Sequence, residues 1–259
     1  MNIISQNINF YILIFFFIFL RIYFILFTIP IFNSNYFNLQ LRIVLSFFFC
    51  FIVINFYSVD FFSLNLLNFL KIIFEQIFIG IIIGFSINLI FSISNIAGEI
   101  FGSQTGLSFS NFFDMNTSSN FPIVSRFLNF LIFYLFLSID GHLWIIHTIV
   151  QSFNYIPINI KFFDFRVLFL ISSYFSFVFI SGIHIILPII VILLSLNLAL
   201  CFLNKFFPQL SIFSIGFSII TFAGMISFYF LTFFIISYLD TYFYKNYSSL
   251  LKIFYKIEN

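Results

Sequence analysis

The chain has 259 residues, of which 63% are hydrophobic and only 7% charged, with a formal net charge of +2. A soluble domain carries about 25% charged residues, and a fold of this length could not hide so much apolar surface from water. The composition therefore excludes a soluble globular domain and predicts an integral membrane protein; with no basic patch interleaved with aromatics, nucleic acid is not an expected partner.

Fifty residues are Phe. Phe, Ile, Asn and Tyr have AT-rich codons, so this excess reads as genome bias, and a single Phe means no more than a large apolar group. Cys50 and Cys201 lie far apart in apolar runs and read as small hydrophobes rather than a disulfide or metal pair.

A helix needs about 20 apolar residues to cross the hydrocarbon core. The first such run goes from Asn9 to Ile29 and ends at Pro30 and Asn33-Ser34-Asn35. It lacks a positive leader and a small-residue cleavage site, so it is expected to be retained as a span. A second span is expected over Leu41–Tyr57 and a third over Asn68–Ile96. Lys71 and Glu75, four apart, read as a local pair.

The stretch that follows, AGEIFGSQTGLSFSNFFD (97–114), interrupts the apolar pattern with Gly, Ser, Gln and a carboxylate. Glycines recur at helical spacing, as Gly80 and Gly84 and again as Gly98, Gly102 and Gly106. On a helix they form a smooth stripe that another backbone can approach closely, either as a generic helix contact or as the interface of an obligate assembly. Glu99 beside the stripe, with Arg126 and Asp140, is expected to be a buried or interface polar group, because a charge at mid-bilayer costs about 3 kcal/mol. Leu107, Phe109, Phe112, Phe113 and Met115 place bulky groups on a Gly- and Ser-bordered loop ending near Pro122. Such a loop can rest on the membrane surface or constrict a passage, since irregular backbone at membrane depth needs support from protein or a water-filled cavity.

A fourth span is expected over Ile123–Val150. Between Arg166 and Lys205 no Asp, Glu, Lys or Arg occurs. A straight helix over that stretch would reach about 57 Å, well beyond a core of about 30 Å. Either two spans meet near Gly182 and Pro188, or one long kinked helix continues past the bilayer; Phe206–Leu239 poses the same alternative. The expectation is an all-α polytopic membrane protein of about six long, kinked helices packed as hairpins, in a single domain over residues 1–259. The positive-inside rule favours cytoplasmic termini.

Asp140, His142 and His147 do not share one helix face, His184 is remote, and a metal site is not expected. No His-Glu-x-x-His, Gly-x-Ser-x-Gly, P-loop or Cys-x-x-Cys is present, so neither an enzyme nor a cofactor is indicated. A stand-alone transporter or channel for small solutes would want inverted repeats and paired intramembrane charges, and neither is evident.

The segments FEQIFIGIIIGF (74–85), AGEIFGSQTGLSFSNFFD, FLNFLIFYLFLSIDGH (127–142), SFNYIPI (152–158) and LPIIVILLSLNLALCFLNKFFPQLSIFSIGF (187–217) resemble the flagellar biosynthetic protein FliR family, which includes related type III secretion export proteins. Asn197, Pro208-Gln209 and Gly216 carry the most distinctive part of the resemblance; toward the N-terminus it rests on an Arg in an apolar run, then Pro30, then Arg42. The resemblance implies a non-enzymatic, channel-forming subunit of the flagellar export gate in the bacterial inner membrane, at the flagellar basal body. Its implied partners are FliP- and FliQ-like subunits, FlhA- and FlhB-like export proteins, membrane lipid and unfolded exported polypeptides. It further implies helices wrapped by protein rather than lipid, and a channel-closing role for the loop holding Phe109, Phe112, Phe113 and Met115.

Overall fold

Away from water, a backbone must satisfy its own N–H and C=O groups, which an apolar chain of this kind does by forming helices. The computed structural model describes residues 2–30, 32, 38–55, 66–109, 123–158, 165–206, 216–230 and 232–233, and every regular element among them is helical. In order these are α1 (Asn2–Thr28), α2 (Leu39–Ile54), α3 (Leu66–Thr105), a 3-10 turn (Leu107–Phe109), α4 (Ile123–Ser138), α5 (Gly141–Tyr155), α6 (Phe165–Phe206) and α7 (Gly216–Phe230). The protein is an all-α polytopic membrane protein. Stretches of α1, α3 and α6 are long and apolar enough to cross a bilayer singly, α4 and α5 only as a pair, and α2 and α7 are shorter apolar helices.

Three boundaries differ from a simple reading of hydropathy. The third helix does not stop at Ile96 but continues through the polar stretch to Thr105. Along it the hydroxyls are satisfied by the helix's own carbonyls: Ser94 donates to Phe91 O at 2.6 Å, Ser103 to Ile100 O at 2.8 Å and Thr105 to Phe101 O at 2.9 Å. The expected fourth span breaks at Asp140, a non-glycine residue at φ 56°, whose N–H is donated to Leu137 O at 3.1 Å. An Asp-Gly pair suits such a left-handed turn, and Gly141 opens the next helix. The stretch between Arg166 and Lys205, in contrast, is one helix with Pro188 inside it rather than two spans. With 40 and 42 residues, α3 and α6 have contour lengths of about 60 Å, twice the hydrocarbon core.

Packing divides the chain into two compact units. The first comprises Met1–Leu89, Gly141–Phe175 and Asn246–Asn259. Here α1 and α2 form a hairpin with an aromatic seam, in which Phe15 meets Phe47 and Phe51, and Phe19 meets Phe47 at 4.7 Å between centroids. On another side of α1 lies α3. A β-carbon on Gly80 would fall 2.7 Å from Arg21 O and 2.9 Å from Phe24 Cβ, and one on Gly84 would fall 2.6 Å from Ile25 O. The backbones of α1 and α3 can approach this closely only because both positions lack a side chain.

The second unit comprises Ile90–Asp140 and Ser176–Lys245. Gly98 of α3 abuts Ser125 of α4, with the Ser125 N 2.7 Å from where a β-carbon would sit. Beside this contact, Ser94, Asn129 and Asn95 form a hydrogen-bonded chain linking α3 to α4. Phe91 meets Phe136 edge-on at 5.3 Å, while Phe101 and Phe127 flank Phe228 of α7.

Replacing Gly84 by Leu forces α3 away from Ile25 and Thr28 of α1. Overpacking a tight helix contact costs about 1–3 kcal/mol. The expected result is a lower unfolding midpoint in detergent with unchanged helical content. The outward-facing Phe85→Leu, measured alongside by circular dichroism, should leave the midpoint unchanged.

Candidate functional site

Two features stand out in this apolar chain. The first is Arg21, in the C-terminal half of α1 and 0% exposed. Its Nε donates to Gln76 Oε1 of α3 at 2.7 Å. One terminal nitrogen donates to Ser152 O at 2.8 Å and the other to Ile156 O at 2.9 Å. Its guanidinium also lies over the Phe153 ring, 4.2 Å from the centroid. Ser152 lies in the last turn of α5, where its carbonyl also accepts from the Ile156 N–H at 3.1 Å, and Ile156 directly follows the helix, at the negative end of its dipole. Arg21 therefore caps α5 while holding α1 to α3. A planar fork of donors suits this arrangement, and an ammonium point charge does not.

Arg42 plays a lesser part near the same hairpin. It is 6% exposed, donates to Phe32 O at 3.0 Å and lies 5.1 Å from the centre of the Phe27 ring, tying the start of α2 to the chain leaving α1.

The second feature is the corner at the end of α3. Gly106 takes φ 76°, the left-handed conformation that ends helices, directly after Thr105. Its α-carbon faces the Phe217 ring, whose Cε2 would be 2.6 Å from a β-carbon there. Gly224 of α7 packs against Thr105, with a β-carbon position 3.4 Å from Thr105 Cβ and 3.7 Å from Phe101 Cζ. The backbone thus turns on a platform built by α3 and α7, and the Leu107–Phe109 turn follows at once.

The structure distributes the sequence-derived residues unevenly. Gly80 and Gly84 face α1, Gly98 faces α4, Gly102 is buried, and Gly106 forms the corner. Leu107 is half-buried in the 3-10 turn and Phe109 closes that turn; Phe112, Phe113 and Met115 lie outside the described residues. Glu99, Arg126 and Asp140 are all exposed on the chain's own surface, so none is buried within this chain. Glu75, read as half of a local pair, is 5% exposed, whereas Lys71 is exposed. The Arg21 cluster was not anticipated. Its available signals were a cation inside an otherwise apolar span and a Gln four residues before Gly80, but its other two acceptors are main-chain carbonyls.

These features define a polytopic helical membrane protein whose first unit is braced by the buried Arg21 and which keeps an apolar exterior. The family model for bacterial export proteins, family 1, matches residues 12–245. Similar proteins include the flagellar biosynthetic protein FliR of Buchnera aphidicola subsp. Acyrthosiphon pisum (strain APS), 41% identical over 160 residues and 62% of each chain. The FliR of Pectobacterium carotovorum subsp. carotovorum is 36% identical over 213 residues and 82% of each chain. That of Escherichia coli (strain K12) is 40% identical over 151 residues and 58% of each chain. The chain belongs to the bacterial export proteins, family 1, and within it to the FliR family of flagellar biosynthetic proteins.

Two substitutions probe the features above. Arg21→Lys keeps the charge but cannot serve Gln76, Ser152 and Ile156 with one planar fork, and should lower stability by about 2–3 kcal/mol, the worth of a lost charged hydrogen bond. Detergent-solubilised unfolding followed by helical ellipticity measures it. Gly106→Ala places a side chain at positive φ against Phe217, and should cost about 1–2 kcal/mol in the same measurement.

Proposed function

We propose that this chain is a structural, channel-forming subunit of the flagellar protein export gate, acting as one functional domain over residues 1–259. It resides in the bacterial inner membrane at the flagellar basal body. There it assembles with FliP- and FliQ-like subunits, adjoins FlhA- and FlhB-like export proteins, and passes unfolded polypeptides without catalysing a reaction or using a cofactor.

The observation that carries this reading is the mismatch between helix length and bilayer thickness, together with what the helices leave uncovered. Helices of about 60 Å cannot lie wholly within a core of about 30 Å along its normal. Yet exposed apolar side chains run from Phe179 and Ile180 through Leu187, Val191 and Leu198 to Phe206 of α6, about 40 Å of helix. Large exposed apolar surfaces mark interfaces with protein or membrane. Sister subunits would cover the length that lipid cannot. In this reading the exposed Glu99, Arg126 and Asp140 meet partner chains, and the glycine-cornered segment beginning at Leu107 supplies the constriction.

Co-expression of the tagged chain with the FliP- and FliQ-like proteins of the same organism tests the assembly. Affinity purification should yield one discrete complex, and the chain made alone should be degraded or polydisperse. A monodisperse lone chain with no affinity for those partners would overturn the reading. Shortening the segment 110–120 in the assembled complex should raise ion leakage across the membrane several-fold; an unchanged leak would remove the constriction role.

A further inference from the structure

Within the second unit, α7 runs antiparallel to the last turns of α3. Phe228 meets Phe101 with ring centroids 5.1 Å apart, Gly224 packs on Thr105 and Phe101, and Phe217 reaches Gly106. Along α7 only Gly216, Gly224 and Ser227 are buried, all of them small, whereas Phe217, Ile219, Phe222 and Met225 are exposed. Close approach of small residues therefore holds this helix, and its first turn sets an aromatic ring on the corner where α3 ends.

That ring matters because of what Gly106 lacks. Glycine takes positive and negative φ about equally well, so its own side chain does not hold the backbone at φ 76°. Packing has to do so, and Phe217 supplies it: Cε2, Cδ2 and Cζ of the ring lie 2.6, 3.4 and 3.5 Å from the position a β-carbon on Gly106 would take.

The ring is not locked there. Phe217 is 51% exposed. It also borders a cleft of about 300 Å³ between α6 and α7, which α6 lines with Asn197, Leu200, Cys201 and Asn204 and α7 with Gly216 and Ile220. A cavity of about 150 Å³ is enough to hold benzene, so the cleft has room for a phenyl group, and Leu200 and Ile220 offer it apolar contact. Aromatic side chains on helices favour two χ1 values, and exposed ones exchange rotamers within nanoseconds. The ring can leave Gly106 without any displacement of α7.

We propose that Phe217 is a two-position latch on the constricting segment. Seated on Gly106, the ring fixes the direction in which the chain leaves α3. Seated in the α6–α7 cleft, it releases Gly106, and the segment that starts at Leu107 swings aside for an exported chain. The inference rests on the constriction reading above and adds the residue that holds the segment in place.

The first test measures ion leakage through the complete complex in inner-membrane vesicles. Phe217→Ala should raise the leak several-fold and Phe217→Leu by less. Ile219→Ala, at a neighbouring exposed position, should leave it unchanged. If Phe217→Ala lowers the yield of complex, the comparison of Phe217→Leu with Ile219→Ala decides. A tight membrane with the Phe217 variants, while shortening 110–120 makes it leak, would overturn the latch and leave the constriction standing; tight membranes in all of them would overturn both. An equal leak from Ile219→Ala would also overturn the latch. The second seat is tested by filling the cleft with Cys201→Phe, or with Leu200→Phe should the first lower the yield of complex. The filled complex should stay tight at rest and export several-fold more slowly, with Cys201→Ser exporting as the parent does. Export at the parent rate through a filled cleft would overturn the second seat.

Discussion

A guanidinium removed from water must have its N–H groups met, and in this protein that requirement joins three helices. Arg21 reaches Gln76 on α3 and the carbonyls of Ser152 and Ile156 at the end of α5. Each partner lacks something that Arg21 supplies: Gln76 a donor for its buried oxygen, and α5 a cation at its negative end. A hydrogen bond to a charged group is worth about 1.5–3 kcal/mol, so losing any one of these contacts is costly. The cluster ties α1, α3 and α5 together in the first unit, and the close contacts at Gly80 and Gly84 join α1 to α3 beside it.

The second unit lacks a comparable ionic centre among its described residues and relies on closeness instead. Gly98 and Gly224 admit Ser125 and Thr105, and the Ser94–Asn129–Asn95 chain satisfies polar groups at the same contact. Small residues and side-chain hydrogen bonds dominate helix association where burial of apolar surface brings no gain over lipid. The two units thus use different means to the same end. The outward surfaces of α2, α4 and α7 remain apolar.

How much of this was legible in the sequence follows from what each signal depends on. The all-helical membrane class rests on composition and was readable throughout. The four-residue glycine rhythm announced close contacts, but a glycine says nothing of which helix approaches it, so α1 and α4 as partners had to come from the structure. Helix ends were misplaced where hydropathy and backbone disagreed. Residues 97–105 look polar yet stay helical, their Ser and Thr hydroxyls satisfied within their own turn, whereas Ser138–Gly141 lies within an apolar stretch and breaks. The Arg21 cluster was hardest to foresee, since main-chain carbonyls leave no trace in residue identity.

The Arg21 contacts also bear on biogenesis. Gln76 follows Arg21 by 55 residues, but Ser152 and Ile156 follow by 131 and 135. During synthesis the first helix must therefore wait, its cation only partly matched, until more than half of the polypeptide has left the ribosome. A nascent chain halted before that point carries an intramembrane charge without its full set of acceptors.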